Sequence, residues 1–149
     1  MFGGAVIFNR LVRDYLFWAA IFAALLFWIG LVIVQPITVN LDDIERRPGR
    51  FFLLILLLPI VEELAFRGFL QELLARKLYQ RRILTVSYAN LLTSFCFVAA
   101  HLPFHSVLWS LAVFFPSIIF GIFKDRYHSL IPPILLHIYY NFGYFTLYS

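Results

Sequence analysis

Apolar residues in this chain come in long runs separated by short polar connections. Leu16 to Val34 carries no charged side chain and is preceded by Arg10 and Arg13. A signal peptide has an apolar core of only ~7–15 residues followed by a small-residue cleavage site. The longer run here reads as a retained first membrane span ending at Gln35-Pro36. Residues 37–50 are polar, with Asp42, Asp43, Glu45, Arg46, Arg47 and Arg50, and Pro48-Gly49 breaks any helix before the next run. Phe51 to Tyr79 predicts one long helix interrupted only by Pro59, pure hydrocarbon to Val61 and amphipathic from Glu62. A third span over Ile83–Ala100 stops at His101-Leu102-Pro103. A fourth over Phe104–Phe123 has a kink at Pro116 and leads into the turn Lys124-Asp125-Arg126. A fifth starts near Leu130 with Pro132-Pro133 in its first turn, where proline is tolerated.

At roughly 20 residues per crossing, a chain of 149 residues has room for about five spans and no separate soluble domain. The expected class is therefore all-α: a polytopic membrane helix bundle of about five transmembrane helices around a polar central cavity. Composition agrees. The chain is 62% hydrophobic and 13% charged, against about 45–50% and about 25% in soluble domains. Its 18 Phe, 8 Tyr and 3 Trp suit lipid and its interfaces.

A net charge of +4 would point a soluble protein toward nucleic acid. Here the basic residues sit in short connections, where they act as topology signals, so no nucleic-acid partner is expected. With the N-terminus cytoplasmic, Arg10, Arg13, Arg76, Lys77, Arg81, Arg82, Lys124 and Arg126 lie inside and Arg46, Arg47 and Arg50 outside, as the positive-inside rule prefers. The single cysteine, Cys96, cannot form an internal disulfide and reads as a packing residue.

Charges inside lipid are expensive, about 2.5–3.5 kcal/mol each on the insertion scale, so their placement carries information. Glu62, Glu63 and Arg67 fall within the second span, His137 and Asn141 within the fifth, and His101 at the end of the third. Glu63 and Arg67 are i and i+4 and share a helix face, as an ion pair would. Glu62 lies ~100° around the helix, and its own i±3 and i±4 neighbours, Leu58, Pro59, Ala65 and Phe66, are apolar. That is the setting of a general base. His137 and Asn141 are again i and i+4, so an imidazole and a carboxamide can both donate to one oxyanion. His101 can share a water molecule with Glu62. Together these groups supply what peptide hydrolysis without a covalent intermediate requires.

Glu62-Glu63-Leu64-Ala65-Phe66-Arg67 matches EExxxR, Phe97-Val98-Ala99-Ala100-His101 matches FxxxH, and His137-Ile138-Tyr139-Tyr140-Asn141 matches HxxxN. In this order, on three helices, they resemble the CPBP family of intramembrane glutamic proteases: type II CAAX prenyl proteases and bacteriocin-processing or immunity-type membrane proteins. The resemblance covers residues 51–146. It implies that Glu62 and His101 activate water, that His137 and Asn141 form an oxyanion hole, and that Glu63 and Arg67 support the site. It divides the chain into residues 1–50, an N-terminal transmembrane helix and polar loop, and residues 51–149, the catalytic helix bundle. Gly121, before a turn containing Tyr127, fits the family's pattern and suits close helix packing. The prenyl proteases carry about eight spans, so elements that shape their specificity would be missing from a chain of about five.

The same residues admit plainer uses. Glu63 and Arg67 could be a structural ion pair, His101 a helix cap, and His137 with Asn141 interhelical hydrogen-bond glue. His105 reads as interfacial despite its metal-like spacing from His101, and His128 as an exposed turn residue. A zinc-dependent protease using Glu62, His101 and His137 is chemically possible, since His₂Glu is a catalytic zinc set. It would draw its ligands from three helices without HExxH. A non-catalytic immunity or scaffold protein is a further alternative. The expected function is a glutamate-dependent endopeptidase, without metal or cofactor, acting on membrane proteins or peptides from a bacterial inner membrane. No oligomeric state is legible.

Overall fold

The computed structural model describes residues 3–34, 47–78 and 81–147. The Gln35-Pro36 span end, Tyr79 and most of the polar connection, including Asp42, Asp43, Glu45 and Arg46, lie outside these residues. The chain separates into two compact units, Met1–Ile60 with Leu135–Ser149, and Val61–Ile134.

In the first unit, α1 (Gly3–Val12) and α2 (Tyr15–Val34) flank a bend of 64°. Asp14 causes the break. Its Oδ1 accepts the Leu16 N–H at 3.1 Å while its carbonyl accepts from Phe17 at 3.0 Å, so the carboxylate starts a new helix instead of continuing the old one. Trp18 braces the corner by donating Nε1–H to the Val12 carbonyl at 2.8 Å. The charge-free run is thus the helix expected, begun one residue earlier.

Residues 48–77 are helical throughout and form α3, with Pro48 in the first turn where its missing N–H leaves nothing unsatisfied. Two stretches are π-helical, Leu53–Leu57 and Leu64–Gln71, separated by Leu58–Glu63 and followed by Glu72–Lys77. The first wide turn directly precedes Pro59. In α register the proline ring would press on the carbonyl four residues back. The ladder widens instead, so that the Leu58 N–H reaches the Leu53 carbonyl.

The third predicted span divides. Arg82–Ile83 (β1) and Val86–Ser87 (β2) form an antiparallel hairpin, and only Tyr88–His101 (α4) is helical. The β-branched residues Ile83, Thr85 and Val86 favour extended backbone, and Leu84 takes a positive φ of 54° at the tip. Ser87 then caps α4 by accepting the Asn90 N–H at 3.0 Å. The fourth predicted span consists of α5 (Val107–Ala112) and α6 (Phe114–Tyr127), meeting at Val113 rather than Pro116, which sits in the first turn of α6. Lys124, Asp125 and Arg126 belong to α6, and the turn comes at His128, whose φ of 50° closes the helix. The final helix, α7 (Ile131–Leu147), starts where Pro132-Pro133 placed it.

Among the described residues, Val107–Tyr127 has the length and apolarity of a full crossing, with a mean hydropathy of 1.9, and the bent pair Val6–Val12 and Tyr15–Gly30 is a second candidate. Of the remaining helices, α4 has 14 residues and α7 17, short of that length, and α3 carries a polar stripe. The described residues are nonetheless almost wholly helical, as expected of a membrane helix bundle.

Candidate active site

The stripe on α3 is Glu63, Arg67 and Gln71, all fully buried. It is matched on α6 by Ser117, Gly121 and Asp125 at the same spacing. Arg67 pairs with Glu63 through Nη1 to Oε1 at 3.3 Å. Its Nη2 donates to both the carbonyl and the hydroxyl of Ser117, at 2.8 and 2.7 Å. The guanidinium also lies over the rings of Phe97 at 4.8 Å and Phe120 at 5.7 Å. A planar cation suits this setting because its edge serves the fork of acceptors while its faces take the rings. One turn on, the Gln71 amide donates to the Gly121 carbonyl at 3.1 Å and to Asp125 Oδ1 at 2.8 Å. At the end of the stripe Lys124 and Glu72 pair at 3.2 Å.

Phe97 connects this stripe to His101. Besides lying under Arg67, its ring stands 4.5 Å from the His101 ring. Its carbonyl lies 2.8 Å from His101 Nδ1. A carbonyl can only accept, so the proton of the neutral imidazole is on Nδ1 and Nε2 presents its lone pair. The carbonyl four residues back in the helix thereby sets the tautomer. His105, in the connection 102–106, stacks on His101 with ring centroids 5.8 Å apart. Partial burial, and then its neighbour His101, hold His105 below the usual imidazole range, while Glu62 pulls upward. Glu62 also acts on Arg67. It is half-buried, whereas Glu63 is fully buried, so the two adjacent carboxylates occupy different surroundings, as their angular separation requires.

His137 and Asn141 belong to the other compact unit. His137 is buried, and Asn141 donates Nδ2–H to the Leu54 carbonyl at 3.0 Å. Nearby on α7, Tyr139 packs on Trp28 at 4.9 Å, Tyr140 donates to the Ala20 carbonyl at 2.9 Å, and Phe142 meets Phe51 edge-on at 6.4 Å. Gly143 admits Trp28 so closely that a Cβ there would overlap the indole.

Sequence reasoning missed Gln71, Asn90, Ser94, Ser117 and Asp125. Their signal was the same as that of Glu63 and Arg67: small or polar side chains four apart inside apolar runs. Asn90 donates to the Ile118 carbonyl at 3.0 Å and accepts from Ser94 at 3.2 Å. Its carboxamide fills the space a Cβ on Gly121 would need, which is the close approach expected of that glycine. Gly121→Ala therefore displaces a hydrogen-bonded buried amide and lowers stability by about 1–3 kcal/mol, measurable as a shifted unfolding midpoint in detergent. Among the described residues, no group of three His, Cys, Asp or Glu side chains is placed to hold a metal ion.

The chain matches the family described as Type II CAAX prenyl endopeptidase Rce1-like over residues 46–143, about two thirds of its 149 residues. No curated protein and no solved structure matches it.

Proposed function

Because this chain belongs to the Rce1-like family of type II CAAX prenyl endopeptidases, integral membrane proteins, we propose that it hydrolyses peptide bonds of membrane-associated protein or peptide substrates by a glutamate-dependent mechanism. Residues 51–149 are the catalytic bundle. Glu62 takes the proton of a water molecule that the Nε2 lone pair of His101 helps to hold. The water oxygen attacks the scissile carbonyl, and His137 and Asn141 donate to the oxyanion that forms. When the tetrahedral adduct collapses, the Glu62 proton passes to the leaving amine, so atoms and charge balance without a covalent intermediate. Glu63 and Arg67 fix the helix that carries Glu62.

The observation that carries this reading is the 2.8 Å contact between His101 Nδ1 and the Phe97 carbonyl. It leaves the outer ring nitrogen free to accept, in the same compact unit as Glu62. The bias of Lys and Arg between connections supports a cytoplasmic N-terminus.

The test is cleavage of membrane-anchored peptides, with and without a prenylated C-terminal cysteine, by the purified protein in liposomes. His101→Ala is expected to lower kcat ~10²-fold or more, and a chelator to leave the wild-type rate unchanged. Full activity in His101→Ala, or loss of wild-type activity with chelator, would remove the proposed mechanism.

A further inference from the structure

The widened turn before Pro59 leaves one backbone acceptor without its helical donor. In Leu53–Leu57 the ladder runs five residues back, the Leu58 N–H going to the Leu53 carbonyl. The next rung would bring the N–H of residue 59 to the Leu54 carbonyl, and proline has none. A backbone carbonyl in an apolar surrounding needs a partner. The structure supplies one from α7: the Asn141 side chain donates to this carbonyl at 3.0 Å. A carboxamide nitrogen carries two hydrogens, so one can be held by Leu54 while the other projects at a fixed angle.

We propose that Pro59 is a positioning residue: by depriving the Leu54 carbonyl of its helical donor, it makes that carbonyl the anchor that orients the Asn141 amide. The catalytic part of this inference rests on Asn141 acting as an oxyanion donor. The anchoring part does not. With alanine at position 59, a backbone N–H reaches the Leu54 carbonyl in either register, from residue 59 in the wide turn or from Leu58 in an α-turn. The Asn141 amide is then released.

The test is a double-mutant cycle on unfolding in detergent, with Pro59→Ala, Asn141→Ala and both together. In the Pro59 background, Asn141→Ala strands a carbonyl and lowers the folded-to-unfolded ratio ~10-fold. In the Pro59→Ala background the same change lowers it less than about threefold, because the backbone has taken over the acceptor. Equal losses in the two backgrounds would overturn the anchor. In the cleavage assay Pro59→Ala, at undiminished stability, lowers kcat ~10-fold or more and leaves KM within about twofold. An unchanged kcat would overturn the positioning role. Since the cycle is read from unfolding, a wild-type protein without peptidase activity would sink the functional reading while coupling in the cycle upheld the anchor.

Discussion

Arg67→Ala is expected to lower the stability of the folded chain by ~3–5 kcal/mol, the cost of breaking a buried ion pair from one side. The substitution leaves the fully buried Glu63 facing the space of the lost guanidinium, which was 3.3 Å away. It also strands the carbonyl and hydroxyl of Ser117 that Nη2 serves at 2.8 and 2.7 Å, and removes the cation from over Phe97 and Phe120. Arg67→Lys keeps the charge but replaces a planar fork with a point donor. It should recover only part of the loss. Denaturant titration of the detergent-solubilised protein measures both. A loss below about 1 kcal/mol for Arg67→Ala would mean that this hub does not organise its unit.

Glu62→Gln should do the opposite: remove activity and spare the fold. Glutamine matches glutamate in size and keeps a hydrogen-bonding head, but it cannot accept a proton from water. A lost general base costs ~10²–10⁴-fold in kcat, with KM changed little. The carboxylate is half-buried, and the unfolding midpoint should move by no more than a few degrees. Glu63→Gln is the control, because it removes the ion-pair partner of Arg67 and so costs stability. If the two substitutions behave alike, the division of labour between these adjacent carboxylates is wrong.

The residues in these predictions were legible in sequence because lipid makes charge conspicuous. Glu63 and Arg67 stand four apart in an apolar run, and the ion pair between them follows from that spacing. The charge-free stretch that became α2 and the proline pair that opens α7 were equally plain. The hairpin at 82–87 was not, since an apolar run bounded by turns does not distinguish strand from helix by period alone. The end of α6 was hidden for another reason. Lys124 and Asp125 looked like turn residues, but one pairs with Glu72 and the other takes the Gln71 amide. Their charges are spent on a neighbouring helix, so the backbone has no cause to turn. The anchoring of Asn141 was illegible because it depends on the π register before Pro59, a one-residue displacement of the ladder that no residue spacing announces. Selection of the His101 tautomer by the Phe97 carbonyl lay between these cases: FxxxH gives the spacing, and only the helix geometry shows that the motif's phenylalanine contributes both ring and backbone.

The most direct test of a water molecule activated by glutamate is the fate of the new carboxyl group. A single turnover of a membrane-anchored peptide in liposomes, run in ¹⁸O-water with hydroxylamine present and read by mass spectrometry, should release an N-terminal fragment ending in a carboxylate that carries one ¹⁸O atom. Recovery of that fragment as a hydroxamate, the signature of a trapped acyl-enzyme, or recovery of no fragment at all, would contradict the account.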